Sequence, residues 1–330
     1  MTDDLEFRTA IRDALAEELE HDERVVFFGE DVVPGGVFKA TPDLTEQFGD
    51  RVFDTPISEL ALAGAAFGSA VTGLRPVVEI MFGDFLALAM DSLINQSAKY
   101  WYLSQGRQSV PLVIRCAVGA GGRFGAIHSQ TPITWVLGVP GLKIVCPAFP
   151  RDAKALLKAA IRDDNPVVFL EHKRLYSIKG PPAPENEQTA TLGEARVVRE
   201  GADVTIVSCM KGVHDALAAS GRLQAEGIDA EVIDLRTLRP LDLDTITTSL
   251  AKTNRLIAVE EGPKLGGWAT GLLGAVAERA LDDLDDAAVV ATDSTPIPYS
   301  PTLEDAYLPG PERIAAAVRE RLGANTTAGG

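Results

Sequence analysis

Ser58-Glu59-Leu60-Ala61-Leu62-Ala63-Gly64-Ala65-Ala66-Phe67-Gly68-Ser69-Ala70-Val71-Thr72, followed after three residues by Pro76-Val77-Val78-Glu79-Ile80-Met81, is a helix that hands over to a strand. Pro56 fixes the approach, and Ser58 is a helix N-cap residue whose side chain can accept an orphan backbone N–H. The helical run carries so few polar residues that it is expected to be buried around much of its circumference. Gly64 and Gly68, four apart, form a small-residue stripe where another backbone can come close. The run from Pro76 to Met81 is short, apolar and rich in β-branched residues, as in a parallel sheet covered on both faces.

The same alternation extends outward. Val25–Phe28, Leu112–Val118, Leu142–Cys146 and Val167–Leu170 read as further strands. Leu5–Leu19, Phe85–Leu103 and Arg151–Ile161 read as helices. The stretch from Lys179 to Gln188, with Gly180, Pro181, Pro182 and Pro184, has no apolar period and interrupts the pattern. Beyond it strands recur at Val204–Ser208, Ala230–Ile233, Leu256–Val259 and Ala288–Ala291. Helices recur at Lys211–Ala225, Leu243–Leu250, Trp268–Leu281 and Glu312–Leu322. The expected fold is α/β: two domains, residues 1–178 and 194–330, each a mostly parallel sheet flanked by helices, joined by a linker over 179–193. Ligands of such sheets sit at the carboxyl ends of the strands. The tail 324–330 reads as disordered.

Composition bounds the function. The 330 residues are 46% hydrophobic and 24% charged, and 31 Lys and Arg against 47 Asp and Glu give a net charge of −16. Such an acidic chain repels phosphate backbones and anionic bilayers, so neither nucleic acid nor a membrane surface is an expected partner. Cys116, Cys146 and Cys209 form no CxxC or Cys/His cluster, which excludes a recognisable zinc motif and suits a reducing compartment. The start, Met1-Thr2-Asp3-Asp4-Leu5-Glu6, does not read as a signal peptide, and Leu60–Leu74 is too short to span a bilayer. A soluble, cytoplasmic protein is expected.

Four places carry chemistry. Gly119-Ala120-Gly121-Gly122-Arg123-Phe124-Gly125 follows a strand like a dinucleotide loop, but Phe124 occupies a position that needs glycine or alanine, and no helix follows at once. Glu59 either complements the helix dipole or, desolvated at the mouth of a buried helix, holds a proton at neutral pH. His128, alone among the four histidines, joins a glycine-rich loop to Ser129, Gln130 and Thr131; it is either structural or catalytic. His172 reads as structural. Asp163 and Asp164 follow a helix C-terminus, where carboxylates are unfavourable without a cation. That cation is either Arg162 or a bound monovalent ion held by terminal carbonyls, Asp163 and Asn165.

Taken in order, a further set of segments resembles one family. These are Gly29-Glu30-Asp31-Val32, Asp54 through Glu59, Gly73-Leu74-Arg75-Pro76, Glu79 through Phe85 and Asn95-Gln96-Ser97-Ala98-Lys99. His128-Ser129-Gln130, Pro140-Gly141-Leu142-Lys143, Asp163-Asp164-Asn165-Pro166 and Pro296-Ile297-Pro298-Tyr299 complete the set. The chain resembles the β subunit of the thiamine-diphosphate-dependent 2-oxo acid dehydrogenases, a group that includes the pyruvate, branched-chain 2-oxo acid and acetoin dehydrogenases of the transketolase-like superfamily. The resemblance implies a pyrimidine-binding domain followed by a transketolase C-terminal domain. It implies that Glu59 bonds the aminopyrimidine ring nitrogen, that Ile57 and Met81 line the pocket, that Phe85 packs on the pyrimidine and that His128 faces the substrate. It also implies a potassium site at Leu112, Ala160, Ile161, Asp163 and Asn165. Some relatives carry Gln at the position of Met81 and Tyr at that of Phe85, which bears on the substrate branch and not on the cofactor.

The activity implied is oxidative decarboxylation of a small 2-oxo acid with acyl transfer to a lipoyl group on a dihydrolipoamide acyltransferase, for which Asp285 in the acidic run Leu281–Asp286 is the candidate docking residue. The family's diphosphate and magnesium motif, Gly-Asp-Gly, is absent: Gly49-Asp50 leads to Arg51, and Gly83-Asp84 leads to Phe85. Magnesium and the diphosphate are therefore expected on an α subunit in an α2β2 heterotetramer. A split transketolase or 1-deoxyxylulose-5-phosphate synthase half would share Glu59 and is the competing expectation.

Overall fold

The structure, a computed structural model, describes residues 4–184 and 189–323. The tail 324–330, residues 1–3 and the middle of the Pro-rich stretch, 185–188, lie outside the described residues. The chain divides into two units, Met1–Gly193 with Thr237–Pro240, and Glu194–Arg236 with Leu241–Gly330.

The first unit contains β1 (Leu5–Glu6), α1 (Phe7–His21), β2 (Val25–Gly29), α2 (Leu44–Phe48), β3 (Val52–Asp54), α3 (Glu59–Val71), β4 (Arg75–Ile80), α4 (Leu86–Met90), α5 (Ala98–Leu103), β5 (Val113–Val118), α6 (Ile133–Leu137), β6 (Lys143–Val145), α7 (Pro150–Arg162), β7 (Val167–His172) and β8 (Lys179–Gly180). Its main sheet has the order Thr237–Arg239, β6, β7, β5, β4, β2, β3, parallel throughout except for the Thr237–Arg239 edge. Every residue of β5 and β7 is buried, as helices on both faces require. Because the six parallel strands run one way, the loops after β2, β3, β4, β5 and β7 leave from one edge of the sheet.

Local differences from the sequence reading have local causes. The first helix starts at Phe7, because Leu5 and Glu6 pair antiparallel with Gly180 and Lys179, at the start of the stretch read as linker. The expected helix Phe85–Leu103 is divided: a 3-10 turn over Gly83–Phe85, α4, a π-helical stretch over Asp91–Ser97, then α5. In that stretch Asn95 and Gln96 both donate to the Asp91 carboxylate, and Ser97 Oγ donates to the Ser92 carbonyl five residues back. Helix α3 buries only the stripe Glu59, Leu62, Ala63, Ala66, Ala70, leaving Leu60 55% exposed. A Cβ at Gly64 would meet only Ser92 Oγ at 3.6 Å, and at Gly68 nothing within 4 Å, so no backbone among the described residues uses the small-residue stripe.

The second unit contains β9 (Arg196–Arg199), β10 (Val204–Ser208), α8 (Lys211–Gln224) and β11 (Ala230–Asp234). After β12, the Thr237–Arg239 strand already placed in the first sheet, come α9 (Leu243–Thr253), β13 (Arg255–Pro263), α10 (Trp268–Ala280), β14 (Asp286–Thr292), α11 (Pro301–Tyr307) and α12 (Pro311–Arg321). The sheet order is β14, β13, β10, β11, β9, with only β9 antiparallel. Glu260 on β13 caps α10: its carboxylate oxygens accept the Trp268 and Ala269 backbone N–H groups at 3.0 and 2.8 Å. Burial nonetheless pushes its carboxyl up to about 7, against those two bonds. All three cysteines are free and buried. Among the described residues no helix is long and apolar enough to cross a membrane.

Candidate active site

At the carboxyl edge of the first sheet, β3 ends at Asp54 and the chain turns through Pro56 into α3. Ser58 is the N-cap, its hydroxyl accepting the Ala61 N–H at 3.4 Å, and Glu59 opens the helix at 6% exposure. The adjoining strand β2 ends one residue before Glu30, also buried. Burial raises the proton affinity of the Glu30 carboxyl, the neighbouring Glu59 adds to it, and a hydrogen bond from the Ser58 backbone opposes it. Glu30 Oε1 and Thr55 Oγ1 are buried with no hydrogen-bond partner among the described residues. Two buried carboxyls lie together there beside the exposed Pro56–Ile57 turn, with polar atoms available to a ligand. Glu30 is the candidate residue that sequence reasoning quoted but gave no role; its burial beside Glu59 depends on how β2 and β3 lie together.

The loop after β4 supplies a second cluster. Met81 and Phe85 are half-buried. The Phe85 ring meets Phe82 edge-on at 5.7 Å and the His128 ring at 5.3 Å, and His128 meets Phe82 at 4.7 Å. Asp84 is buried, with Oδ1 accepting the Gln130 side-chain amide at 2.7 Å and Oδ2 unpartnered. The structure thus brings Phe85 and His128 into contact, as it brings Glu59 and Glu30 together. Ile57, by contrast, is 84% exposed and lines no buried site among the described residues. The glycine-rich loop Gly119–Gly125 leads to no helix until Ile133, in agreement with its reading as something other than a dinucleotide loop.

Beneath this edge lies a buried ion network. Arg115 on β5 donates Nε and Nη2 to Glu171 on β7 at 2.7 and 2.9 Å, and Nη1 to Glu79 on β4 at 2.9 Å; the Tyr176 hydroxyl donates to Glu171 at 3.0 Å. Burial disfavours the Arg115 cation, but Glu171 and Glu79 more than reverse that and raise its pKa. Burial raises that of Glu79 despite Arg115.

The five residues of the expected potassium site gather at the opposite, amino-terminal edge. The Leu112 carbonyl accepts from Val167, that of Ala160 from Asp163, and that of Ile161 from Arg75 Nε at 2.9 Å. The Asp163 carboxylate pairs with Lys143 and accepts from Asn165, and its carbonyl accepts from Arg75. Arg75 also pairs with Asp164. Arg162, the cation considered from sequence, pairs with Glu18 on α1 instead. Six residues of β5 separate this turn from the His128 loop, about 20 Å at 3.3 Å per residue, so the two do not pack together. In the second unit Asp285 is exposed, its backbone N–H donating to the Asn254 carbonyl.

The chain matches the family model described as "Transketolase, pyrimidine binding domain" over residues 3–179 and "Transketolase, C-terminal domain" over residues 193–314. It is 44% identical to the acetoin:2,6-dichlorophenolindophenol oxidoreductase subunit beta of Cupriavidus necator, covering 96% of this chain and 97% of that one. It is 44% identical to the pyruvate dehydrogenase E1 component subunit beta of Bacillus subtilis, covering 95% and 97%. Against the 2-oxoisovalerate dehydrogenase subunit beta of the same organism the figure is 42%, covering 94% and 96%. Among solved structures, one described as a split gene transketolase, inactive beta4 tetramer, shares the fold with a TM-score of 0.80 at 24% identity, covering 97% of this chain and 98% of that one.

Proposed function

This chain belongs to the transketolase-like β subunits of the thiamine-diphosphate-dependent 2-oxo acid and acetoin dehydrogenases, and on that premise we propose that it is the pyrimidine-side half of an enzyme that decarboxylates a small 2-oxo acid and passes the acyl unit to a lipoyl group. The observation that carries the proposal is the buried carboxyl pair, Glu59 and Glu30, at the mouth of α3. Bound thiamine diphosphate supplies the electron sink for the pair left behind when carbon dioxide departs. Glu59 would hydrogen-bond the pyrimidine ring nitrogen, and the orphaned Glu30 and Thr55 oxygens suit a polar ring edge. Phe85 and Met81 would flank the ring, Ile57 would reach it from the exposed turn, and His128 would orient the substrate carboxylate or move a proton during acyl transfer.

The diphosphate and magnesium belong to an α subunit in this proposal. Among the described residues no cluster of three or more His, Cys, Asp or Glu side chains could hold a metal. Exposed apolar side chains on the first unit, including Ile57, Leu60, Leu88, Tyr102 and Leu103, suit burial against that partner in a heterotetramer. Potassium would sit on the second lone pairs of the Leu112, Ala160 and Ile161 carbonyls with Asp163 and Asn165. The lipoyl-bearing acyltransferase would dock near the exposed Asp285, weakening with salt. The setting is cytoplasmic.

The test is reconstitution. The purified chain, its α subunit, magnesium and thiamine diphosphate are assayed with pyruvate, branched-chain 2-oxo acids and acetoin, using 2,6-dichlorophenolindophenol as acceptor. Turnover is expected only with both subunits, and Glu59→Gln should lower it about 100- to 10,000-fold. Activity of the single chain, turnover of sugar phosphates alone, or a folded Glu59→Gln enzyme of normal rate would refute the proposal.

A further inference from the structure

We propose that Lys173 is a positioning residue of this site, clamping the loop between β5 and α6 so that the His128 ring is held against Phe82 and Phe85. The inference rests on the role given to His128 above. Lys173 directly follows β7 and is 9% exposed. Its Nζ donates to the His128 carbonyl at 2.7 Å. The same ammonium lies 5.4 Å from the centroid of the Phe82 ring and 5.7 Å from that of Phe124. Phe82 is also the ring that His128 meets edge-on at 4.7 Å. One cation therefore fixes His128 by two routes, through its backbone carbonyl and through the face of the ring it rests on.

The flanking residues serve the same loop. A Cβ at Gly119, where φ is +96°, would lie 2.2 Å from His172 Nε2, and one at Gly121, where φ is +88°, would lie 2.5 Å from Arg174 Cδ. The loop thus lies directly on His172-Lys173-Arg174, and the Arg174 N–H donates to His172 Nδ1 at 3.2 Å. Lysine is among the residues least often buried, and a methionine would fill similar space. The charge, more than the volume, distinguishes Lys173 here.

Two measurements test the clamp. In the full chain, Lys173→Met should speed amide hydrogen exchange across residues 119–130 by about tenfold or more, with β4, β5 and β7 unchanged. Lys173→Arg, which keeps a cationic donor, should restore most of the protection. In the αβ assembly Lys173→Met should lower kcat/KM for a 2-oxo acid by about 100-fold, the order expected for a misplaced catalytic group. The thiamine diphosphate Kd should hold, since Glu59 and Phe85 lie outside the loop. Added to His128→Ala, Lys173→Met should cost little more, because both act through one ring. Unchanged loop exchange alongside a crippled His128→Ala would overturn this inference alone. Full turnover by His128→Ala would overturn the role of His128 and the clamp's purpose with it. Additive losses in the double variant, or exchange speeded equally across the whole sheet by both lysine replacements, would show a merely structural lysine.

Discussion

Arg115→Met is the substitution whose cost follows most directly from the geometry. The wild-type guanidinium is 1% exposed and holds two carboxylates, Glu171 through two hydrogen bonds and Glu79 through one. Methionine fills most of the space, so the loss is chiefly of charge. Two carboxyls remain in the interior, and among the described residues only the Tyr176 hydroxyl still donates to them. Breaking a buried pair by removing one partner costs about 3–5 kcal/mol. At about 2–4 °C per kcal/mol for a unit of this size, the melting temperature should fall by about 6–20 °C. Glu79→Gln should cost much less, about 1–2 kcal/mol, because Arg115 keeps Glu171. The pH dependence has a definite sign. Orphaned buried carboxyls have folded pKa values raised above their unfolded ones, so their contribution is full at low pH and is lost as pH rises. The deficit of Arg115→Met should therefore shrink on acidification from pH 8 to pH 5. Hydrogen exchange of β4, β5 and β7 reads the first unit by itself. A deficit below about 1 kcal/mol, or one indifferent to pH, would refute the reasoning that charge compensation holds these three strands.

The second unit offers a pH prediction of its own. Glu260 has its carboxyl pushed up to about 7 by burial, so its contribution to stability is full below the ordinary glutamate pKa of about 4.3 and is lost as pH rises through 7. Exchange of β10 and β13 amides should report a loss of about 3 kcal/mol from pH 4 to pH 8 that Glu260→Gln abolishes; equal slopes in both proteins would show that the two backbone N–H bonds to Glu260 win over burial. At the opposite edge, the melting temperature in potassium chloride should exceed that in choline chloride at equal ionic strength, and Asp163→Ala should erase the difference. Indifference to potassium would leave Arg75 and Lys143 as the cations that satisfy Asp163 and Asp164.

The strands were legible because burial on both faces makes them continuous apolar runs: Val113–Val118 and Val204–Ser208 are visible without any knowledge of their neighbours. Elements whose existence depends on a distant partner were not. Thr237–Arg239 is three residues long and becomes a strand by pairing with Val145 and Ile144. The division of Phe85–Leu103 rests on Asp91, Asn95, Gln96 and Ser97 bonding at spacings of four and five, where apolar periodicity gives no signal. Helix α3 reads as buried around much of its circumference because alanine and glycine leave its open face with no polar mark; the chain itself covers only one stripe.

The site divides along the same line, and the division says what kind of information makes it work. Glu59 and His128 advertise themselves locally, one behind a Pro-x-Ser cap, the other at the end of a glycine-rich loop. Glu30, Arg115 and Lys173 do not, because each acquires its role from residues 28 to 56 positions away: Ser58, Glu79 and Glu171, and the His128 carbonyl. Arg162 shows the same limit from the other side. It lies next to Asp163 in sequence, yet spends its charge on Glu18, while Arg75 and Lys143 cross from elsewhere to the acidic turn. Groups that meet the substrate or cofactor must stand at strand ends and helix starts, which local sequence marks. The groups that hold them there are chosen by the order of strands in the sheet. In this chain β4, β5 and β7 stand side by side only because β6 lies beyond β7 in the sheet order. Moving any one of them would strand a buried charge of the Glu79–Arg115–Glu171 network.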